Sequence, residues 1–267
     1  MKHYKKGIKK YTTYCFLFLI CISLFFSGCV NNNTTKGESE NTTSETETIT
    51  SETEYNISST EPMPEEYNEI LDNLINAYPW SDDKMSVVPE NPELSYMYLR
   101  SSSLSDVGFA LIDLDNNGQK ELIISDINSS FIYDLYTISD GEITHLFDSA
   151  ERNCYYLYKN GYVENQWSSS AASSGTDFYK LGNGTLRFVE RITLDAYYAL
   201  DAGLIDEITE ANEKDLYFKS KSNLPEDYES ITFEEYEIIL QSYRKANPPL
   251  KIKYTLLSEY KNKTSES

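Results

Sequence analysis

Asp113, Asp115, Asn117 and Glu121 recur at odd spacings in one short stretch. Gly118 lies among them, and apolar runs flank them, Phe109 to Ile112 before and Leu122 to Ile124 after. Carboxylate and amide oxygens are hard donors of the kind calcium takes. Ligands at loop positions 1, 3, 5 and 9, a backbone carbonyl at 7 and a glycine at 6 to allow the bend can surround one such ion. Counted from Asp113, those positions are Asp113, Asp115, Asn117, Glu121 and the carbonyl of Gln119, with Gly118 at the bend. The spacing nominates these five residues as a calcium site on a strand–loop–strand hairpin. A hairpin turn rich in Asp, Asn and Gly, holding no metal, is the competing reading of the same residues.

An EF-hand is excluded, because that loop needs a bidentate Glu at position 12 between two helices. Position 12 here is Ile124, and the flanks are apolar and β-branched. The stretch A-L-I-D-L-D-N-N-G-Q-K-E-L instead resembles the strand-loop-strand calcium site of integrin-type FG-GAP repeats. More closely, it resembles the "ALIDLDGDG..EL" segment of a family of surface lipoproteins from clostridia and related Firmicutes. That resemblance implies a calcium-binding, lipid-anchored protein of the Gram-positive cell surface. Asn116-Asn117 replaces the Gly-Asp common in such loops, which leaves three carboxylates and a weaker site.

Few other residues offer chemistry. His3 lies in the leader described below, so His145 would be the mature chain's only histidine; placed in a strand, it reads as structural. Cys154 opens an apolar strand and reads as a buried structural thiol. Nucleophile-elbow glycines, zinc spacing and a phosphate-cradling loop are all missing from the sequence. Paired acids arise by chance in a chain with 43 of them. Trp167 precedes the small-residue run Ser168 to Gly175, and together they nominate a platform for a glycan or peptide.

The elements that must position the loop follow from periodicity. Tyr67, Ile70, Leu71, Leu74 and Ile75 form one apolar stripe, predicting a helix from about Pro64 to Ala77. After the hairpin, Phe131 to Ser139 and Glu142 to Phe147 flank an Asp140-Gly141 turn, completing a four-strand unit. Cys154 to Tyr158, Tyr162 to Trp167, Asp177 to Leu181 and Leu186 to Leu194 repeat that layout without a second calcium loop. Two such blade-like units are too few to close a propeller. Asp201 to Glu229 is poorly patterned, with Tyr217-Phe218 as a short edge strand. Thr232 and Glu235 form a capping box for a second helix ending at Asn247-Pro248-Pro249, and Leu250 to Leu257 alternates as a last strand.

The first 28 residues read as an address. Five lysines precede the apolar run Cys15 to Phe26, which is too short to span a bilayer. The run ends in Phe26-Ser27-Gly28-Cys29, similar to a bacterial lipobox, so Cys29 is the expected lipidation site. Residues 29–62 are rich in Asn, Thr, Ser and Glu and cannot bury a core; as a coil such a tether reaches about 30 Å. Removal of the five leader lysines, with no acid among those 28 residues, would take the formal charge from −20 to near −25. That charge opposes binding to nucleic acid.

The expectation is therefore an α+β protein. Residues 1–28 form a lipoprotein signal peptide, 29–62 a disordered tether, and 63–260 one calcium-binding domain. In that domain an antiparallel β-meander of two blade-like four-strand units is flanked by an N-terminal and a C-terminal helix. Calcium is the expected cofactor, and the membrane, through lipid on Cys29, the expected partner. The expected role is a non-enzymatic binding or cell-envelope module on the extracellular face of the membrane. An extracellular hydrolase of cell-wall or glycan substrates is the alternative.

Overall fold

A computed structural model describes residues 63–77, 97–98, 101, 103–212 and 216–265, all within the compact unit Glu52–Ser267. The leader, Cys29, the tether and the Ser81 to Pro92 loop lie outside the described residues. No helix among the described residues is long and apolar enough to cross a membrane.

The first helix, α1 (Glu65–Ala77), carries Glu65 and Glu66 in its first turn, where acids complement the helix dipole. Its predicted stripe is its buried face, with Tyr67, Leu71 and Leu74 fully buried. Next come β1 (Val107–Ile112), β2 (Glu121–Asp126), β3 (Asp134–Ser139) and β4 (Glu142–Asp148), each antiparallel to the one before. The second set is β5 (Asn153–Leu157), β6 (Tyr162–Ser170), β7 (Ser173–Gly182) and β8 (Thr185–Asp195), again a meander. A short helix α2 (Ala196–Asp201) leads to β9 (Tyr217–Ser220) and β10 (Glu229–Ile231). Helix α3 (Phe233–Ala246) starts at Thr232 with both halves of the capping box formed. The short strand β11 (Thr255–Leu256) and helix α4 (Leu257–Ser265) close the described chain.

The fold is α+β, built on two antiparallel sheets. Each predicted four-strand unit is the body of one sheet. The first gains β11 to give the order β11-β1-β2-β3-β4, and the second gains β9 and β10 to give β10-β9-β8-β7-β6-β5.

Strand pleating sends alternate side chains to opposite faces, and three apolar clusters record the result. Phe109, Leu122, Ile124 and Tyr136 of the first sheet pack with α1 and with Leu257 and Tyr260 of α4. Ala110, Ile112, Ile123, Leu135 and Phe147, from the sheet's other face, pack with Leu157, Val163 and Leu181 of the second sheet. Phe178 and Ile192 carry the outer face of the second sheet onto Leu240 of α3. The layers therefore run helix, sheet, sheet, helix. Covered on both faces, β1 and β2 read as nearly continuous apolar runs, and each fully buried Leu or Ile contributes about 1.5–3 kcal/mol.

Several local expectations change. Ser168 to Gly175 belongs to the β6–β7 hairpin, because its small residues pair across the turn. Tyr217 starts an internal strand, since β10 covers its outer side. Leu250 to Tyr254 belongs to no strand and only Thr255 and Leu256 form ladder pairs; the chain then turns helical at Leu257. Cys154 is half-buried rather than buried, with its thiol 3.7 Å from the Ala150 carbonyl oxygen.

Candidate metal centre

The β1–β2 ladder ends with Ile112 opposite Glu121, so Asp113 leaves one strand where Glu121 enters the next. The intervening loop folds over its own side chains. Asp113 accepts from the Asn117 N–H at 3.1 Å and the Gly118 N–H at 3.0 Å. Asp115 accepts from Asn117 N–H at 3.2 Å, and the Asn117 amide oxygen accepts from Gln119 N–H at 2.6 Å. Gly118 holds φ +89°, a left-handed value that an L side chain resists, and Asn116 sits at φ 60°, which asparagine tolerates better than most. The sequence supplies the residues this turn requires.

Asp113, Asp115 and Glu121 each bring one oxygen into a group whose members lie within 4.8 Å of one another. Oxygens bound to one calcium ion at about 2.4 Å each can stand no more than about 4.8 Å apart, a limit this group meets. All the donors are oxygens, which suits a hard cation and disfavours zinc or copper. The three carboxylates could hold one hard cation, with Asn117 and the Gln119 carbonyl in the same loop as the other expected donors.

Glu121 is fully buried although it carries a carboxylate. Alternation along β2 puts it on the same side as Ile123, the side facing the second sheet. Its oxygens accept the Leu114 N–H at 2.8 Å and the Thr137 hydroxyl at 3.2 Å. Burial pushes its carboxyl from 4.5 up to about 7; the Leu114 N–H opposes this, and the neighbouring Asp115 and Asp113 charges add to it. A bound cation offsets such a cluster of like charges.

The loop also rests on the second sheet. The Gly184 N–H, in the β7–β8 turn, approaches Asp115 at 3.4 Å. Gly161, in the β5–β6 turn, holds φ +68°, and a Cβ there would lie 2.9 Å from the Leu114 carbonyl oxygen. The loop is thus wedged between two turns of the other sheet. Asn160-Gly161 and Gly182 to Gly184 read as turns in the sequence, but neither they nor Thr137 could be read there as neighbours of the loop. Their positions relative to the loop depend on how the sheets stack, which no local pattern records.

The other nominated residues are engaged within the fold. The Trp167 indole N–H donates to Asp177 at 3.1 Å, and the Arg191 guanidinium lies over its ring at 5.2 Å. Asp177 also receives two Arg191 bonds, at 2.7 and 2.6 Å, and the Tyr179 hydroxyl at 3.3 Å. His145 stacks on Tyr136 at 4.3 Å, and its Nε2 lies 2.8 Å from buried Asp134, which also accepts from Tyr98. Burial alone would lower the His145 pKa, but Asp134 reverses this and the net shift is upward. Glu164 takes two bonds from Arg244 of α3, at 3.1 and 2.6 Å, and one each from Tyr158 and Gln166. Burial opposes its ionisation, yet these donors hold its carboxyl below the usual range. These buried acids spend their oxygens on donors that tie strands and helices together.

The chain matches no protein-family model, no curated protein and no solved structure, so the capacity of the site rests on its own geometry.

Proposed function

We propose that the chain is a membrane-anchored extracellular lipoprotein with one calcium-stabilised domain, acting as a non-enzymatic binding or cell-envelope module. The observation that carries the reading is the grouping of the Asp113, Asp115 and Glu121 oxygens within 4.8 Å. Asn117 and the Gln119 carbonyl complete the donor set, and calcium supplies the positive charge that this acidic group lacks. Asp113 and Asp115 hold the turn through backbone N–H groups, while Glu121 roots it beneath the strands. Because the loop lies against turns of the second sheet, holding it rigid also holds the sheets in register. The short apolar run ending at Cys29, followed at once by a polar tether, supports the lipid anchor.

Three carboxylates without a bidentate acid at position 12 place the affinity in the weak extracellular class, a dissociation constant of about 10⁻⁴ to 10⁻³ M. At about ten times that concentration, binding to the folded state alone adds about 1.4 kcal/mol. For a domain of this size the melting temperature should rise by about 3–6 °C. Equal melting temperatures in chelator and in millimolar calcium would leave the loop as a metal-free turn.

A further inference from the structure

A pocket of about 390 Å³ opens where the two sheets part, and none of the residues lining it is charged. It is lined by Tyr156 and Leu157 of β5 with Tyr158 just after it, by the β2–β3 connection from Ile127 to Ile132, and by the segment from Pro249 to Tyr254. The last segment alternates, turning Leu250, Ile252 and Tyr254 toward the pocket while Lys251 and Lys253 are exposed. The volume lies in the range of about 300–1,000 Å³ typical of small-molecule sites.

The chemistry of the lining narrows the ligand. A quarter of the chain is charged and its net charge is −20, yet this pocket presents only aromatic rings, aliphatic groups and hydroxyls. A carboxylate, phosphate or ammonium would find no counter-charge among the lining residues, and Glu164 and Arg244, which reach the Tyr158 hydroxyl, are already paired with each other. An extended peptide adding to the β5 edge is also disfavoured. The outward carbonyls of Tyr155 and Leu157 already accept the N–H groups of Ile132 and Leu250, so the edge is closed on both sides of the pocket. The Tyr156 hydroxyl bonds to Ser130 and the Ser129 hydroxyl oxygen accepts the Phe131 N–H, so each keeps part of its hydrogen-bonding capacity, which a wholly apolar ligand would leave unused. The Tyr158 hydroxyl donates to Glu164 and is also bonded by Arg244, which leaves one lone pair as an acceptor. Ring faces beside uncharged donors and acceptors match a compact molecule with apolar C–H faces and a rim of hydroxyls.

We propose that this pocket binds a neutral saccharide of one or two rings. The inference names the ligand class of the binding module proposed above and rests on that reading. It lies away from Trp167, whose indole N–H is already bound within the protein.

The test is calorimetric titration of the full chain, in calcium, with glucose, N-acetylglucosamine and a neutral disaccharide; glucuronate and phenol are the charged and apolar controls. The expected result is saturable binding of at least one neutral saccharide with a dissociation constant on the order of 1–10 mM, as suits so small a ligand, and none of glucuronate. Ser130 is exposed at the rim, so Ser130→Trp blocks the mouth without disturbing the core and should weaken binding at least about tenfold. Tyr156→Phe keeps the ring, removes one hydroxyl, and should weaken binding with no change in circular dichroism. Absence of saturable saccharide binding overturns the proposal. So does unchanged binding in Ser130→Trp, or binding of phenol in place of sugars. The calcium-dependent melting shift is read on the same samples, so failure of the ion reading and failure of the saccharide reading are told apart.

Discussion

Replacing Glu121 by glutamine removes a negative charge from a fully buried position and keeps the length of the side chain. The amide oxygen can still accept the Leu114 N–H, and the new NH₂ group can donate to the Thr137 hydroxyl oxygen, so packing should survive. In the wild type burial lifts the carboxyl from 4.5 to about 7, which corresponds to about 3 kcal/mol. The folded state then binds the Glu121 proton more tightly than the unfolded chain does. Its contribution is fully present below about pH 4.5 and is lost as pH rises toward about 7. In chelator, the wild type should therefore lose about 3 kcal/mol relative to Glu121→Gln across that window, about 6–12 °C in melting temperature. Calcium at about ten times its dissociation constant should recover about 1.4 kcal/mol, a little under half of that loss, in the wild type. It should do little for the variant, which lacks a charged ligand. Thermal unfolding followed by circular dichroism at about pH 5 and about pH 8, with chelator or calcium, reads all four conditions. Parallel pH profiles for the two proteins in chelator would refute the assignment of Glu121 as a buried acid that lacks its counter-charge.

Gly161→Ala forces a Cβ into the left-handed region and against the Leu114 carbonyl, 2.9 Å away. It should cost about 1–3 kcal/mol in urea unfolding and also weaken calcium binding, because Leu114 lies within the loop; a loss of stability with unchanged calcium affinity would mean that the turn does not buttress the site. Cys29→Ala should release the protein from membranes or leave an unprocessed precursor, and equal incorporation of labelled fatty acid into variant and wild type would contradict the anchor.

The loop, α1 and α3 were legible because their signals are local. Oxygen donors at alternate positions, an apolar stripe and a capping box all lie within a few residues of one another. The stacking of the sheets was not legible. It decides that Glu121 is buried beneath the loop and that Gly161 and Gly184 touch the loop from positions far along the chain. Leu250 to Leu257 read as a strand because L-K-I-K-Y alternates, but alternation reports only which side faces the core. The segment lines a pocket with that side, pairs only at Thr255 and Leu256, and Leu257 begins a helix. Trp167 drew attention as an aromatic beside small residues. The partners it meets, Asp177 and Arg191, come from the next two strands and become neighbours only through the ladder register.

The most direct test of the calcium assignment is calorimetric titration of the full chain with calcium, beside Asp113→Ala. Asp113 contributes to the carboxylate group and accepts two loop N–H groups, so the substitution removes a charged donor while leaving the two sheets their own cores. The account predicts one site per chain, with a dissociation constant of about 10⁻⁴ to 10⁻³ M, and loss of that site in the variant. No heat of binding in the wild type at millimolar calcium, or identical isotherms for the two proteins, would contradict it.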